Sequence, residues 1–274
     1  NNPLFSPANI APLLAENQIA TFHDTSVYAL PDAYSFLFRL KYRIIFKFVG
    51  KKAKRIITIS QFSKSELEKY CGIESKKMDV ISHGHEHLLS IVPDFSIIEK
   101  YSLKIKPFFL MVGSKSHHKN ASIVFEANKL LDKDKFNIVV AGGSYSKVFQ
   151  KSEDFSEKNI IQVGYVSDQE LAALYLNAHV FIFPSLYEGF GLPVLESLSF
   201  GCPVLCSNAA SLAEFGDDLV TYFNPLDPSQ LAKLMGKKIA NSKKEEINLQ
   251  KLQSRYSWKI AALKIGRASC RERV

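Results

Sequence analysis

Short runs that are apolar throughout recur along this chain, and between several of them lie longer stretches whose apolar residues fall three and four apart. The runs are Ile19 to Phe22, Arg55 to Ile59, Val80 to Ser82, Phe108 to Val112, Asn137 to Ala141, Ile160 to Val163, Val180 to Phe183 and Val204 to Ser207. Segments such as Ala121 to Leu131 and Gln169 to Ala178 carry the helical spacing. A strand that alternates apolar with polar residues leaves one face in water, whereas a strand apolar throughout has both faces covered, as in parallel sheets flanked by helices. The predicted class is therefore α/β. From about Leu103 the pattern is regular enough for a whole βαβα domain, and the polar stretch Asp94 to Lys106 reads as the linker before it. Ahead of the linker about three strands can be named, fewer than a self-sufficient doubly wound half needs. The expected domains are thus 1–103, the later part of a first domain whose start is missing, and 104–262, a complete second one.

Both ends look unnatural. The chain opens at Asn1-Asn2-Pro3 without methionine, and Gly266 to Val274 breaks the apolar spacing of the helix before it, so residues 263–274 are set apart as a non-native tail. The remaining composition is that of an ordinary globular protein, with 46% hydrophobic and 23% charged residues in 274. Cys71, Cys202, Cys206 and Cys270 are scattered, which argues against a disulfide framework, and Cys202 and Cys206 lack further ligands nearby for zinc. No metal or cofactor is implied. Asp132 and Asp134 are the one acidic pair spaced like a metal-binding Asp-x-Asp, and surface solvation explains them better. No apolar run has the length to cross a bilayer, so the chain is expected to be cytoplasmic, at most resting on the inner face of a membrane. A net charge of +8 favours an anionic partner, and its sign does not choose among a phosphorylated sugar donor, an acidic membrane surface and a nucleic acid.

Residues 34–64 add a local bias. Phe36, Leu37, Phe38, Leu40, Tyr42, Ile44, Ile45, Phe46 and Phe48 are interleaved with Arg39, Lys41, Arg43, Lys47, Lys51, Lys52, Lys54 and Arg55, and no acid interrupts the segment. A cationic, aromatic-rich helix suits an anionic lipid surface or a lipid-phosphate acceptor. The plainer reading is a domain helix with one buried face and one solvated basic face.

The most informative stretch is Phe183-Pro-Ser-Leu-Tyr-Glu-Gly-Phe-Gly-Leu-Pro-Val-Leu-Glu196, which follows an apolar strand and leads into a helix. Gly189 and Gly191 let the backbone approach a ligand closely, and Pro193 fits the first helical position, where a missing N–H costs nothing. The free amides of that helix start face an anion, so a phosphate is held there without any side chain. Glu188 before the loop and Glu196 one turn into the helix then suit vicinal hydroxyls at the two ends of a nucleotide sugar. A plain turn and a dipole-stabilised glutamate explain each feature singly, but not the glycine pair, the proline and the glutamate spacing together.

Glu188 to Glu196, followed by Gly201-Cys-Pro-Val and Ser207-Asn-Ala-Ala-Ser-Leu-Ala-Glu214, resembles the hallmark of retaining glycosyltransferases of family 4, in the GT-B superfamily. Gly164-Tyr-Val-Ser-Asp168, Tyr222 to Pro228, Leu4 to Asn9, Thr21-Phe-His-Asp24, Thr58 to Ser63 and Val80 to His87 resemble further segments of the family, so the likeness covers most of residues 4–262. The first-domain segments look most like enzymes of bacterial polysaccharide and lipopolysaccharide assembly, mannosyltransferases among them. The resemblance implies two Rossmann-like doubly wound domains facing a cleft, and a hexose moved with retention from a nucleoside-diphosphate sugar to a saccharide or lipid-linked acceptor. It implies that Glu188 contacts the donor sugar, that the amides of Phe190, Gly191 and Leu192 beside Gly189 meet the diphosphate, and that Glu196 holds the ribose. Tyr165 and Val166 would face the base, and His23 would point at the transferred sugar. Without the resemblance, a capping or core role beside Asp24 would be preferred for His23.

The family also places a basic pair on the loop that here reads Gly113-Ser114-Lys115-Ser116-His117-His118-Lys119-Asn120. Lys119 fits the lysine, but His118 stands where arginine is usual. A largely neutral imidazole has no guanidinium fork, so leaving-group stabilisation is weaker unless Lys115 or His117 substitutes. The catalytic set implied is His23, Lys119 and Glu188. Two other readings stay open: a nucleotide-sugar binder that does not turn its ligand over, and a basic nucleic-acid-binding protein. The first reading expects no nucleic-acid partner.

Overall fold

A computed structural model of the chain describes residues 3–113, 116–143, 157–241 and 246–270, the side chains of 269 and 270 apart. The described residues fall into two compact units. The first draws on Asn1–Gly84, Glu188–Gly191 and Tyr256–Val274, the second on His85–Tyr187 and Leu192–Arg255.

The first unit holds a parallel sheet of β1 (Leu4–Ser6), β2 (Gln18–Thr21), β3 (Arg55–Thr58) and β4 (Met78–Val80), in that order. Its helices are α1 (Ser26–Ala29), α2 (Phe36–Lys52), α3 (Gln61–Cys71) and α10 (Trp258–Cys270). Successive strand side chains point to opposite faces. Ala20 and Ile56 accordingly pack with Phe46, Val49 and Leu67 of α2 and α3, while Ile19, Ile57 and Ile81 pack with Ala261 of α10. Local chemistry sets the helix ends: the Ser35 and Ser60 side chains accept from the amides of Phe38 and Ser63, and α3 stops at Gly72 in the left-handed region. The helix α10 continues through Gly266 to Cys270, into the stretch set apart on its apolar spacing.

The second unit is built on β5 (Phe108–Val112), β6 (Asn137–Ala141), β7 (Ile160–Gly164), β8 (Val180–Phe183), β9 (Val204–Ser207) and β10 (Thr221–Phe223). All pairings are parallel, in the order β10-β9-β8-β5-β6-β7. Around it lie α4 (Ser96–Lys100), α5 (Ala121–Asn128), α6 (Asp168–Asn177), α7 (Leu192–Ser199), α8 (Pro228–Ala240) and α9 (Leu249–Arg255). Phe109, Val124, Phe125, Ile138 and Met235 share one core between sheet and helices. A reciprocal capping box between Ser167 and Glu170 starts α6, and Asp227 caps α8 with Pro228 in its first turn. The stretch read as a linker contains α4, whose Ile97 and Ile98 are buried, and the Asp94 amide donates to Gln169 O at 3.0 Å.

Candidate functional site

The strand order of the second sheet reverses between β5 and β8, with β6 and β7 following on one side and β9 and β10 on the other. Open α/β sheets take ligands outside the carboxyl ends of their strands at such a switch point. The segments leaving those two central strands here are 113–120 and 184–187, so the topology puts the predicted basic pair and the entry to the glycine loop at one place.

Hydrogen bonds fasten these segments together. The Asn120 side-chain amide donates to Pro184 O at 3.1 Å and Pro225 O at 2.8 Å, and the Leu186 amide donates to His118 O at 2.7 Å. His117–Lys119 form one tight turn ending in Asn120 at φ 52°, and Lys119 Nζ lies 5.6 Å from the centre of the Phe183 ring. His118 and Lys119 are therefore both delivered to the exit of β8. The Gly113 amide donates to Ala141 O at 3.1 Å, and a Cβ on Gly142 would lie 2.1 Å from Gly113 O, so this approach of β5 and β6 demands glycine. Ser114 and Lys115 lie outside the described residues. After β7, Val166 is half-buried, and Tyr165 is 89% exposed with its hydroxyl toward Gly143.

The helix α7 begins at Leu192, making Pro193 its second residue, one later than the sequence suggests. The consequence is unchanged, because every amide of the first turn lacks an intrahelical acceptor. One turn in, Glu196 is half-buried, and both of its carboxylate oxygens are engaged. His87 Nε2 lies 2.9 Å from Oε1, and the Tyr175 hydroxyl donates to Oε2 at 3.0 Å. Tyr175 is fully buried, and burial first, then the Glu196 charge, pushes its phenol well above the usual range, so it stays protonated and donates. Sequence reasoning assigned no site role to either partner. The only signal was the His85-x-His87 spacing: His85 Nδ1 lies 2.7 Å from Ser199 Oγ, so the two histidines grip one face of α7 at positions three residues apart.

In the first unit, Glu188–Gly191 lies against the ends of β2 and β3. Gly189 O accepts from Ser60 Oγ at 2.8 Å and Ser63 Oγ at 3.1 Å, while Ser63 Oγ also lies 2.9 Å from His23 O. Phe190 is buried against His83 and Tyr256, with ring centres 5.3 and 5.9 Å away. Gly191 sits at φ 107°, a conformation that turns the chain and excludes side chains. His23 stacks on His83 at 5.4 Å, its amide donates to Asn9 Oδ1 at 2.8 Å, and its Nε2 lies 3.1 Å from Pro7 O. The structure thus gathers His23 and Gly189 in this unit, and His118, Lys119, Leu192 and Glu196 in the other.

Elsewhere, Cys202 and Cys206 are buried cysteines outside any disulfide, and among the described residues no group of three or more His, Cys, Asp or Glu side chains is placed to hold a metal ion. Asp132 Oδ1 accepts the Asp134 amide and its carboxylate pairs with Lys135 at 3.2 Å, a solvated surface turn.

Comparison with known proteins agrees with this architecture. Residues 95–252 match the family model "Glycosyl transferases group 1", and residues 3–87 match "Glycosyltransferase Family 4". The fold is GT-B: the Anabaena protein HepE, solved in complex with UDP-glucose, superposes with a TM-score of 0.76 at 16% identity, over 91% of this chain and 71% of that one. The chain belongs to the group 1 glycosyltransferases, with a family 4 segment preceding the group 1 domain. It is 29% identical to O-antigen chain mannosyltransferase B of Escherichia coli and 30% identical to O-antigen chain mannosyltransferase RfbU of Salmonella typhimurium, over 77% and 78% of its length. It spans 58% of the length of each.

Proposed function

We propose that this chain is the greater part of a retaining hexosyltransferase that moves a hexose, mannose in the first instance, from a nucleoside-diphosphate sugar to a saccharide or lipid-linked acceptor. Residues 1–103 would serve the acceptor and 104–262 the donor. The observation that carries the reading is the switch point of the second sheet, where Lys119 and the chain leading into α7 emerge from the two central strands. The O-antigen relatives support mannose, and the UDP-glucose complex of a fold neighbour supports a nucleotide donor.

In this reading the diphosphate meets the amides of Phe190, Gly191 and Leu192, Glu188 takes the sugar hydroxyls, and His23 faces the transferred sugar. Lys119 offsets the charge that builds on the diphosphate as the anomeric C–O bond breaks. Preorganised donors of this kind lower a barrier by several kcal/mol, and one ammonium with an imidazole at His118, which lacks the guanidinium fork, supplies less than a lysine–arginine pair. Thermal unfolding of the chain with UDP, GDP and ADP, followed by release of nucleoside diphosphate from the matching sugar donor, tests this. A ligand at about 100 times its Kd adds about 2.7 kcal/mol of stability. No stabilisation by any nucleotide at millimolar concentration sinks the proposal, and stabilisation without turnover leaves a binding protein.

A second property rests on α2. Leu37, Leu40, Ile44 and Phe48 follow at intervals of three and four and are all exposed, Leu37 by 75%, on the side away from buried Phe46 and Val49. Beside its end lies a groove of about 780 Å³ lined by Lys47, Lys51, Lys54, Arg55, Lys76 and Lys77, with Glu74 as an acid among them. An apolar stripe bordered by cations suits an anionic bilayer, since a nucleic acid has no use for the stripe. Co-sedimentation with phosphatidylglycerol vesicles, lost in Leu37→Asp/Phe48→Asp, supports the reading. Binding to DNA that survives those changes, with no vesicle binding, overturns it.

A further inference from the structure

We propose that His87 and Tyr175 are positioning residues for the ribose of the nucleotide, holding the Glu196 carboxylate from two sides so that its remaining lone pairs meet the diol. The inference rests on the donor reading above and adds two residues to it. A carboxylate offers about four acceptor positions, two on each oxygen. One on Oε1 is taken by His87 Nε2 at 2.9 Å and one on Oε2 by the Tyr175 hydroxyl at 3.0 Å. The carboxylate carries no proton to give, so His87 donates. One position per oxygen remains, and a vicinal diol brings two hydroxyl donors.

Both supports are themselves fixed. The Tyr175 ring is buried edge-on to Phe181 at 5.5 Å and stacked on Phe200 at 6.1 Å, which holds the ring that carries the hydroxyl. His87 sits in the tight turn Glu86–Leu88, anchored by buried Leu88 on one side and by His85 against Ser199 on the other. With Ser199 Oγ donating to Leu195 O at 2.7 Å, His85 Nδ1 is the donor to Ser199. Burial pushes the His85 imidazole down, so this clip stays neutral. The side chain of His87 is 33% exposed, which leaves its edge open to a ligand, whereas that of Glu196 is 13% exposed. A flexible surface glutamate would have to be ordered at the moment of binding, whereas this one is already held.

The experiment measures Kd by calorimetry for UDP, GDP and ADP, each beside its 2′,3′-dideoxy analogue, in the full chain and in His87→Ala, His87→Gln and Tyr175→Phe, with circular dichroism checking the fold. The unaltered chain is expected to favour the ribonucleotide by about tenfold or more, the scale of hydrogen bonds to a charged group. His87→Ala should erase most of that preference while leaving the Kd of the dideoxy analogue within about twofold, and His87→Gln, which restores an N–H donor, should recover part of it. Tyr175→Phe, where it folds, should move the ratio the same way. An intact ratio in His87→Ala, or an equal loss for both ligands, overturns the inference and leaves the donor reading standing. Failure of the unaltered chain to bind UDP, GDP or ADP removes the donor reading, and this inference with it.

Discussion

Replacing Gly189 by alanine probes how tightly the glycine loop is seated in the first unit. A Cβ there would lie 2.8 Å from Asp24 Cβ and 3.0 Å from His23 O. Carbon atoms pack best at about 3.5–4.0 Å, so the overlap approaches 1 Å. Neither neighbour is free to retreat: Asp24 Oδ1 accepts the Ser26 amide at 2.8 Å, the His23 amide donates to Asn9 at 2.8 Å, and His23 O accepts from Ser63. The loop has to move instead, and moving it takes Gly189 O away from Ser60 and Ser63. Overpacking costs about 1–3 kcal/mol and the lost Ser60 hydrogen bond about 1 kcal/mol net, the Ser63 hydroxyl keeping His23 O as its acceptor, so the sum is about 2–4 kcal/mol. At about 2–4 °C per kcal/mol, Tm should fall by about 4–16 °C. The control is Gly201→Ala, at φ 66° with nothing within 4 Å of its Cβ, where only the left-handed backbone is penalised. That penalty is about 1–2 kcal/mol. Urea denaturation of the three proteins, followed by circular dichroism, makes the comparison. A Gly189→Ala protein no less stable than Gly201→Ala refutes the argument, because the close approach would then carry no energy.

Lys119→Ala should lower kcat by about 100-fold or more while changing the donor KM far less, since the ammonium acts on charge that develops in the transition state; equal losses in binding and turnover would assign it to the ground state instead. His118→Arg should raise kcat by restoring a second cation, and unchanged turnover would show that the imidazole already suffices. Asp218 pairs with Lys251 and Arg255 of α9, in that order of effect, and its pKa is lowered from 3.8 to about 2. A carboxylate depressed by folding stabilises the fold fully above its unfolded value and loses that contribution as pH falls through the folded one. Amide exchange should therefore show α9 loosening selectively between about pH 4 and 2, and Asp218→Asn should remove that pH dependence.

The contrast between what the sequence disclosed and what it withheld follows from where the partners lie. The strands β5, β6, β8 and β9 were legible to the residue because both of their faces are buried, which leaves no polar position to interrupt the run. The edge strands β1 and β10 were missed: each is three residues long and partly exposed, and one strand neighbour gives an edge no reason to be apolar throughout. Glycine and proline marked the turn into α7 because backbone geometry is a local demand, written at the residue that meets it. Support for a functional side chain is written elsewhere. The histidine that steadies Glu196 lies 109 residues away and the phenol 21 residues away, and neither separation corresponds to any period of helix or strand. Pattern reading therefore finds groups whose role depends on their own neighbours in the chain, as with the amides ahead of Pro193. It passes over groups such as His87, whose chemistry exists only once the segment after β4 has folded back onto α7.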